Sequence, residues 1–167
     1  EERDVLGAAA RKRADRIPLA YITGRQAFCD SIFSVTPDVL IPRPETEELA
    51  AFVLGAGLRE GAAVLDLCCG SGCIGISLAK ARPDLRVLLL DISPAALDVA
   101  RRNALEILPG GNFEFLRSDF YQALTADRRF DCIVSNPPYV HPDEEALLSH
   151  EVKCEPRIAL FADDPGG

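Results

Sequence analysis

The stretch Ala63-Val64-Leu65-Asp66-Leu67 runs directly into Cys68-Cys69-Gly70-Ser71-Gly72-Cys73-Ile74-Gly75, and this junction restricts the fold more than any other part of the 167-residue chain. A short apolar run bounded by turn residues reads as a buried strand. The glycines permit a tight turn and let a ligand approach the backbone, and a helix expected to run to about Lys80 presents unpaired N–H groups at its start. Taken alone, Gly-x-Gly describes any compact strand-to-helix turn. A second apolar strand, Arg86 to Leu90, ends in Asp91, which follows the glycines by about 20 residues, where a carboxylate can accept from both hydroxyls of a ribose. The two features together point to a nucleoside site.

The same unit then repeats. Ser93 is placed as N-cap and Pro94 as N1 of a helix to about Leu108, which stops at Pro109-Gly110-Gly111. Phe113 to Leu116 reads as a third strand ending at Ser118-Asp119-Phe120. Asp119 is positioned to accept from an adenine amino group and Phe120 to cover the ring, although Asp119 is equally natural as a turn or cap residue. A fourth strand, Asp131 to Ser135, delivers Asn136-Pro137-Pro138-Tyr139. Two consecutive prolines remove two N–H groups and fix φ twice, so the sheet cannot continue and the loop must be rigid. Asn136 offers an amide and Tyr139 a flat face with a hydroxyl, at the end of a strand where open α/β sheets place ligands. Alternating strands and helices with right-handed crossovers predict an α/β fold with a doubly wound parallel sheet, and four core strands are recognisable.

The flanks carry less chemistry. Val5 to Arg16 reads as a helix ending before Pro18, and Gln26 to Thr36 as a β-hairpin. In Ile41-Pro42-Arg43-Pro44-Glu45-Thr46-Glu47-Glu48 two prolines stiffen the entry to a helix running to about Leu54, with acidic residues in its first turn. A rigid helix entry explains Pro44, Glu45 and Glu48. It leaves Arg43 unexplained, and Arg43 is placed on the substrate side. His141 to Cys154 is polar and partly helical.

A formal net charge of −8 argues against general binding to a phosphate backbone, where affinity comes from Lys and Arg. No run approaches the length of a membrane span, and the first residues lack a secretory pattern, so a cytoplasmic protein is expected. With no initiator Met at residue 1, an upstream targeting segment stays open. Several of the six cysteines lie in apolar or Gly-rich stretches, and reduced thiols are expected. Cys68, Cys69 and Cys73 lack zinc-site spacing, and His150 with Cys154 makes half a site at most, so no metal is assigned.

Taken together, Ile41 to Glu47, Leu65-Asp66-Leu67 with Gly70-Ser71-Gly72, Asp91, Ser118-Asp119-Phe120, Ser135 to Tyr139 and Glu155-Pro156-Arg157 resemble the PrmC/HemK family of protein-(glutamine-N5) methyltransferases. The resemblance runs from about Pro18 to Gly167. It implies a Rossmann-like methyltransferase fold and S-adenosyl-L-methionine as cofactor, with S-adenosyl-L-homocysteine as product. Cys68, Cys69, Gly70, Ser71, Gly72 and Asp91 would hold the cofactor, with Phe120 beside its adenine, Asp119 nearby and Asn136 on the same side. Asn136, Pro137, Pro138 and Tyr139 would receive a glutamine of a class 1 peptide chain release factor. The family has Gly at the first loop position, where this chain has Cys68. The resemblance further implies a truncated sheet, residues 1–25 as the end of an N-terminal helical domain, 26–40 as a hairpin linker and 41–167 as the catalytic domain lacking its C-terminal strands.

The expected mechanism is positional, with Asn136, Pro137 and Tyr139 as the catalytic set. The Asn136 side-chain carbonyl and the Pro137 backbone carbonyl would accept the two N–H groups of the substrate amide, and Tyr139 would pack against it. The rival readings are amino methylation of a base in DNA or RNA, which the same loop chemistry permits, and a non-catalytic adaptor with a methyltransferase fold. A nicotinamide dehydrogenase shares the glycines and the acidic ribose ligand but gives no reason for Asn-Pro-Pro-Tyr.

Overall fold

Parallel strands covered on both faces need apolar residues at successive positions, and β3 (Ala63–Leu67) and β4 (Arg86–Asp91) supply them. In the computed structural model, which describes residues 2–162, Val64, Val87 and Leu89 join the larger core, while Leu65, Leu67, Leu88 and Leu90 face the other side of the sheet. Residue 1 and residues 163–167, the outer ends of the first and last expected domains, lie outside the described residues. With β5 (Phe113–Arg117) and β6 (Cys132–Ser135) these strands form a parallel sheet of order β5-β4-β3-β6. Leu67 pairs with Leu90 on one side and Ser135 on the other. The chain therefore winds outward from β3 through β5 and returns to lay β6 beside β3. That reversal is where open α/β sheets form their ligand crevice.

The helices α4 (Cys73–Ala81) and α5 (Pro94–Ile107) pack on the sheet, and α3 (Pro44–Gly55) packs against α4. As expected, Ser93 caps α5, its hydroxyl accepting from the Ala96 N–H at 3.2 Å. The hairpin β1 (Arg25–Phe28) and β2 (Ser31–Ser34) is antiparallel and part of the main core, because Phe28 and Phe33 are fully buried there with ring centroids 6.0 Å apart. Asn103 of α5 holds it in place, accepting from the Ser34 N–H and donating to the Ser34 and Ser71 carbonyls.

Near the N-terminus the structure departs from expectation. The first helix, α1, spans Glu2–Ala14, and the chain leaves it through Arg16 at φ 59°. A short helix that periodicity did not reveal, α2 (Leu19–Thr23), follows Pro18 and is closed by Gly24 in the left-handed region. Five residues are too few to show a helical period. Beyond β6 come a 3₁₀ helix (Pro142–Leu147), α6 (His150–Lys153) and α7 (Arg157–Leu160). No helix among the described residues is long and apolar enough to cross a membrane.

The contact between β3 and α4 is unusually close. Asp66 occupies the helix-facing side of β3, and its Oδ2 accepts from the Gly75 N–H at 2.8 Å. A Cβ on Gly75 would lie 2.9 Å from that oxygen and 3.0 Å from Val87, so only glycine fits. Asp66 is 1% exposed and its Oδ1 has no partner, so burial pushes the carboxyl up to about 7 against the opposing pull of the Gly75 bond. An unfolded carboxyl releases its proton near pH ~4. Between about pH 4 and 7 the folded chain therefore holds a proton that the unfolded chain has lost, and stability falls as pH rises, by up to ~1.4 kcal/mol per pH unit. Asp66→Asn, which never ionises, is expected to gain stability relative to the parent between pH 5 and pH 8. Urea midpoints that move in parallel for both proteins across this range would refute the buried neutral carboxyl.

Candidate active site

The carboxyl ends of β3, β4, β5 and β6 converge on one cleft of about 440 Å³. Its floor is organised by Asp91 at the end of β4. The Asp91 Oδ2 accepts from the Gly70 N–H at 2.8 Å and its Oδ1 from the Ser93 N–H at 2.9 Å. The Cys69 N–H donates to the Leu90 carbonyl at 3.0 Å, and the Ser118 N–H to the Asp91 carbonyl at 3.0 Å. The loops leaving three neighbouring strands are thus tied to Asp91 and Leu90. Burial raises the Asp91 carboxyl above its ordinary value, opposed by these backbone donors. Each oxygen keeps a second lone pair for a ligand hydroxyl.

The loop between β3 and α4 turns through three left-handed residues, Cys68 at φ 61°, Gly70 and Gly72. Gly72 caps α4, and a Cβ there would come within 2.8 Å of Ile76 and 2.9 Å of Leu89. Cys68, at the position where the resemblance leads one to expect glycine, adopts the left-handed conformation that glycine would take without cost. The departure places a side chain at a left-handed backbone position on this loop. Burial raises all three nearby thiols, Cys68 to about 11, Cys73 to about 12 and Cys69 upward as well, with the Asp66 and Asp91 carboxylates adding to the shift of Cys68 and Cys69. At neutral pH they are protonated and weakly nucleophilic.

Asp119 and Phe120 line the same cleft. The Asp119 Oδ2 accepts from Gln122 at 3.0 Å, and Phe120 sits at φ 42°, half exposed. Such backbone strain in a bulky residue is characteristic of functional loops. From β6, Asn136 and Pro138 reach the cleft, and the Ser135 hydroxyl donates to the Leu67 carbonyl at 2.7 Å, fixing the loop base against β3. Among the described residues the Asn136 side chain has no hydrogen-bond partner. Pro137 and Tyr139 lie outside the cleft lining on the exposed side of the loop, and Tyr139 is 77% exposed.

Arg43 is also outside the lining, and its guanidinium pairs with the buried Glu155 carboxylate. Two wall segments were not legible in the sequence, Asp38 to Leu40 before α3 and Ile158 to Ala162 at the far end. The Glu155-Pro156-Arg157 motif marks the neighbourhood of the second and gives no sign of what it touches. The described lining carries Asp38, Asp91 and Asp119 and no Lys, Arg or His. It is a negatively charged, largely apolar cleft.

The Methyltransferase small domain profile matches residues 49–157, which hold the glycine loop, Asp91 and the Asn-Pro-Pro-Tyr loop. The chain belongs to the methyltransferase small domain family. It is 46% identical over 158 residues to the release factor glutamine methyltransferase of Leptospira interrogans, covering 92% of this chain and 55% of that protein. To the release factor glutamine methyltransferase of Burkholderia pseudomallei it is 47% identical over 175 residues, covering 96% of this chain and 61% of that protein. The chain thus spans somewhat more than half the length of these relatives. Among solved structures it resembles the Pyrococcus abyssi tRNA (uracil-54, C5)-methyltransferase in complex with S-adenosyl-L-homocysteine, with a TM-score of 0.53 and 28% identity over 71% of this chain and 29% of that one.

The strain at Cys68 has a measurable consequence. A left-handed conformation costs a residue with a Cβ ~1–2 kcal/mol, whereas glycine takes it freely but is freer by ~0.5–1 kcal/mol when unfolded. Cys68→Gly is therefore expected to leave stability within about 1 kcal/mol of the parent. Cys68→Val, β-branched at positive φ, should be clearly destabilising. Denaturant midpoints for the two variants check this, and a valine variant as stable as the glycine one would contradict the left-handed geometry.

Proposed function

We propose that this chain carries the catalytic core of an S-adenosyl-L-methionine-dependent methyltransferase that modifies a glutamine side-chain amide nitrogen in a class 1 peptide chain release factor. The observation that carries the reading is the meeting of Asn136 and Pro138 with the Asp91 and glycine-loop groups in one cleft. Relatives bearing the name release factor glutamine methyltransferase support it.

The cleft suits the cofactor on its own terms. Its volume of about 440 Å³ falls in the range of small-ligand sites. Asp91 offers lone pairs to a ribose diol, and Phe120 and Ile92 give apolar cover for an adenine. Gly70, with open space where a Cβ would stand, lets the ligand lie against the backbone. Three aspartates and no basic residue in the described lining favour a cation and disfavour a phosphate. When bound, S-adenosyl-L-methionine supplies an electrophilic methyl on a positively charged sulfur.

The residues of this chain then have to orient a poor nucleophile. An amide nitrogen shares its lone pair with the carbonyl, so attack needs the nitrogen aimed along the sulfur–methyl axis. The Asn136 side-chain carbonyl and the Pro137 backbone carbonyl accept the two amide N–H groups, and Tyr139 packs on the flat substrate. The bound cofactor would supply the methyl and keep the bonding electron pair on its sulfur, while Asn136 and Pro137 would hold the nitrogen until its extra proton passes to water. Positioning can supply effective molarities of ~10⁵ M or more, beyond the ~10²–10⁴ typical of a general base.

On this reading Asn136→Ala retains cofactor binding and loses turnover by about a hundredfold, the scale of one preorganised polar group. Methyl transfer to release factor, with cofactor affinity by calorimetry, checks both halves in the full-length protein. Near-normal turnover would remove Asn136 from the mechanism. Asp91→Ala should instead weaken cofactor affinity, and an unchanged affinity would remove the ribose assignment. Parallel assays with DNA and RNA test the substrate class, and label appearing in nucleic acid alone would overturn it.

A further inference from the structure

Arg43 and Glu155 lie 112 residues apart, and the structure joins them at a point the proposed chemistry does not use. The Glu155 side chain is only 2% exposed, a costly position for a carboxylate unless both oxygens are engaged. Both are. Oε1 accepts from the Arg43 guanidinium, and Oε2 accepts from the Ile41 N–H at 3.0 Å. Arg43 stands between Pro42 and Pro44 in extended backbone at φ −99°, ψ 144°, so the prolines limit the directions in which its side chain can leave. The strap ahead of it is held once more, by the Tyr21 hydroxyl donating to the Val39 carbonyl at 2.6 Å.

Neither partner lines the cleft, but each lies close in sequence to a segment that does. Asp38 to Leu40 and Pro42 form one segment, and Ile158, Phe161 and Ala162 form the other. The second wall is also tied to the amide-binding loop. Val140, the residue after Tyr139, donates its N–H to the Leu160 carbonyl at 2.9 Å and accepts from the Ala162 N–H at 3.2 Å. A continuous path therefore runs from the strap through Glu155 to the far wall, and from there to the loop that carries Asn136.

We propose that Arg43 and Glu155 are positioning residues, forming a latch that holds the strap of the cofactor cleft in register with the Asn136-Pro137-Pro138-Tyr139 loop. Arg43 acts through Glu155 and does not touch the substrate. In the sense of distance to the cofactor and the amide the latch rests on the methyltransferase reading, but as a mechanical tie it does not. Breaking it leaves a buried charge without its partner, and the two walls lose their common anchor. The sheet does not depend on it, because β3 and β4 are buried in separate apolar clusters.

The test uses the full-length protein with Glu155→Gln, Arg43→Met, the double variant and the charge-retaining Arg43→Lys. Segment-resolved amide hydrogen exchange is measured first, without any ligand. The latch predicts exchange about tenfold or more faster at residues 38–42, Val140 and Ala162 in both single variants, unchanged exchange in β3 and β4, and a double variant no worse than either single one. Affinity for S-adenosyl-L-homocysteine and the KM for release factor are then expected to weaken about tenfold or more, with a smaller change in kcat at saturation. Arg43→Lys should recover most of the loss. Unchanged exchange at 38–42 and Val140, or acceleration spread through β3 and β4, would overturn the latch. Accelerated exchange with unaltered affinity and KM would reduce it to a structural tie and overturn the positioning role. If the parent protein binds no S-adenosyl-L-homocysteine, the proposed function fails, while the exchange pattern still decides whether the latch exists.

Discussion

A single carboxylate sets the geometry from which the rest of the cleft follows. Asp91 ends β4, and its two oxygens take N–H groups from the loop after β3 and from the entry to α5. Its own carbonyl takes the N–H of Ser118, where the chain leaves β5. Backbone donors at the ends of parallel strands have no ladder partner beyond the last register pair, and a charged acceptor between them satisfies several at once. The same contacts hold Gly70, Ser93 and Ser118 at fixed distances around a half-buried carboxylate. A ligand that offers hydroxyls to Asp91 therefore meets a site that is already assembled, and little ordering has to be done at the moment of binding.

The strands and helices of the core were legible because each depends on local pattern. β3, β4, β5 and β6 lie within a residue of their expected bounds, and α5 begins at Pro94 behind the cap that Ser93 announces. The strand-end loops were legible for the same reason, since glycine and proline restrict the backbone wherever they occur. What stayed hidden is everything that needs two distant segments. Nothing near Asn103 says that it will satisfy Ser34 and Ser71 together, and nothing near Glu155 says that Ile41 and Arg43 will be its donors. Arg43 shows the cost of this. Its setting between two prolines marked it as unusual, and the direction in which it spends its charge is set by a residue far along the chain.

The hairpin makes the complementary point. A stretch of a dozen residues with a polar break looks like a connector, yet Phe28 and Phe33 are as buried as any residue in the sheet. Lys80 of α4 reaches back to the hairpin turn, donating to the Asp30 carbonyl at 3.0 Å and the Ser31 hydroxyl at 2.7 Å. Glu47 of α3 accepts from the Cys29 N–H at 2.9 Å. The hairpin thus contacts the helices that follow the glycine loop and the strap. Burial of two aromatic side chains contributes on the order of several kcal/mol, enough to make this element part of the core.

The charge of the cleft sharpens what kind of reaction it can favour. Three aspartates line it, and the described lining has no basic side chain to balance them. Asp38 and Asp119 are exposed and Asp91 is partly buried, so their combined field, strongest at Asp91, attracts a cation and repels a phosphate. A dinucleotide, which brings a pyrophosphate to the glycine loop, would bind against that field. A sulfonium would bind with it, and a neutral thioether of the same shape would be held less strongly by the same aspartates. Electrostatics alone would then favour a charged ligand over its neutral counterpart.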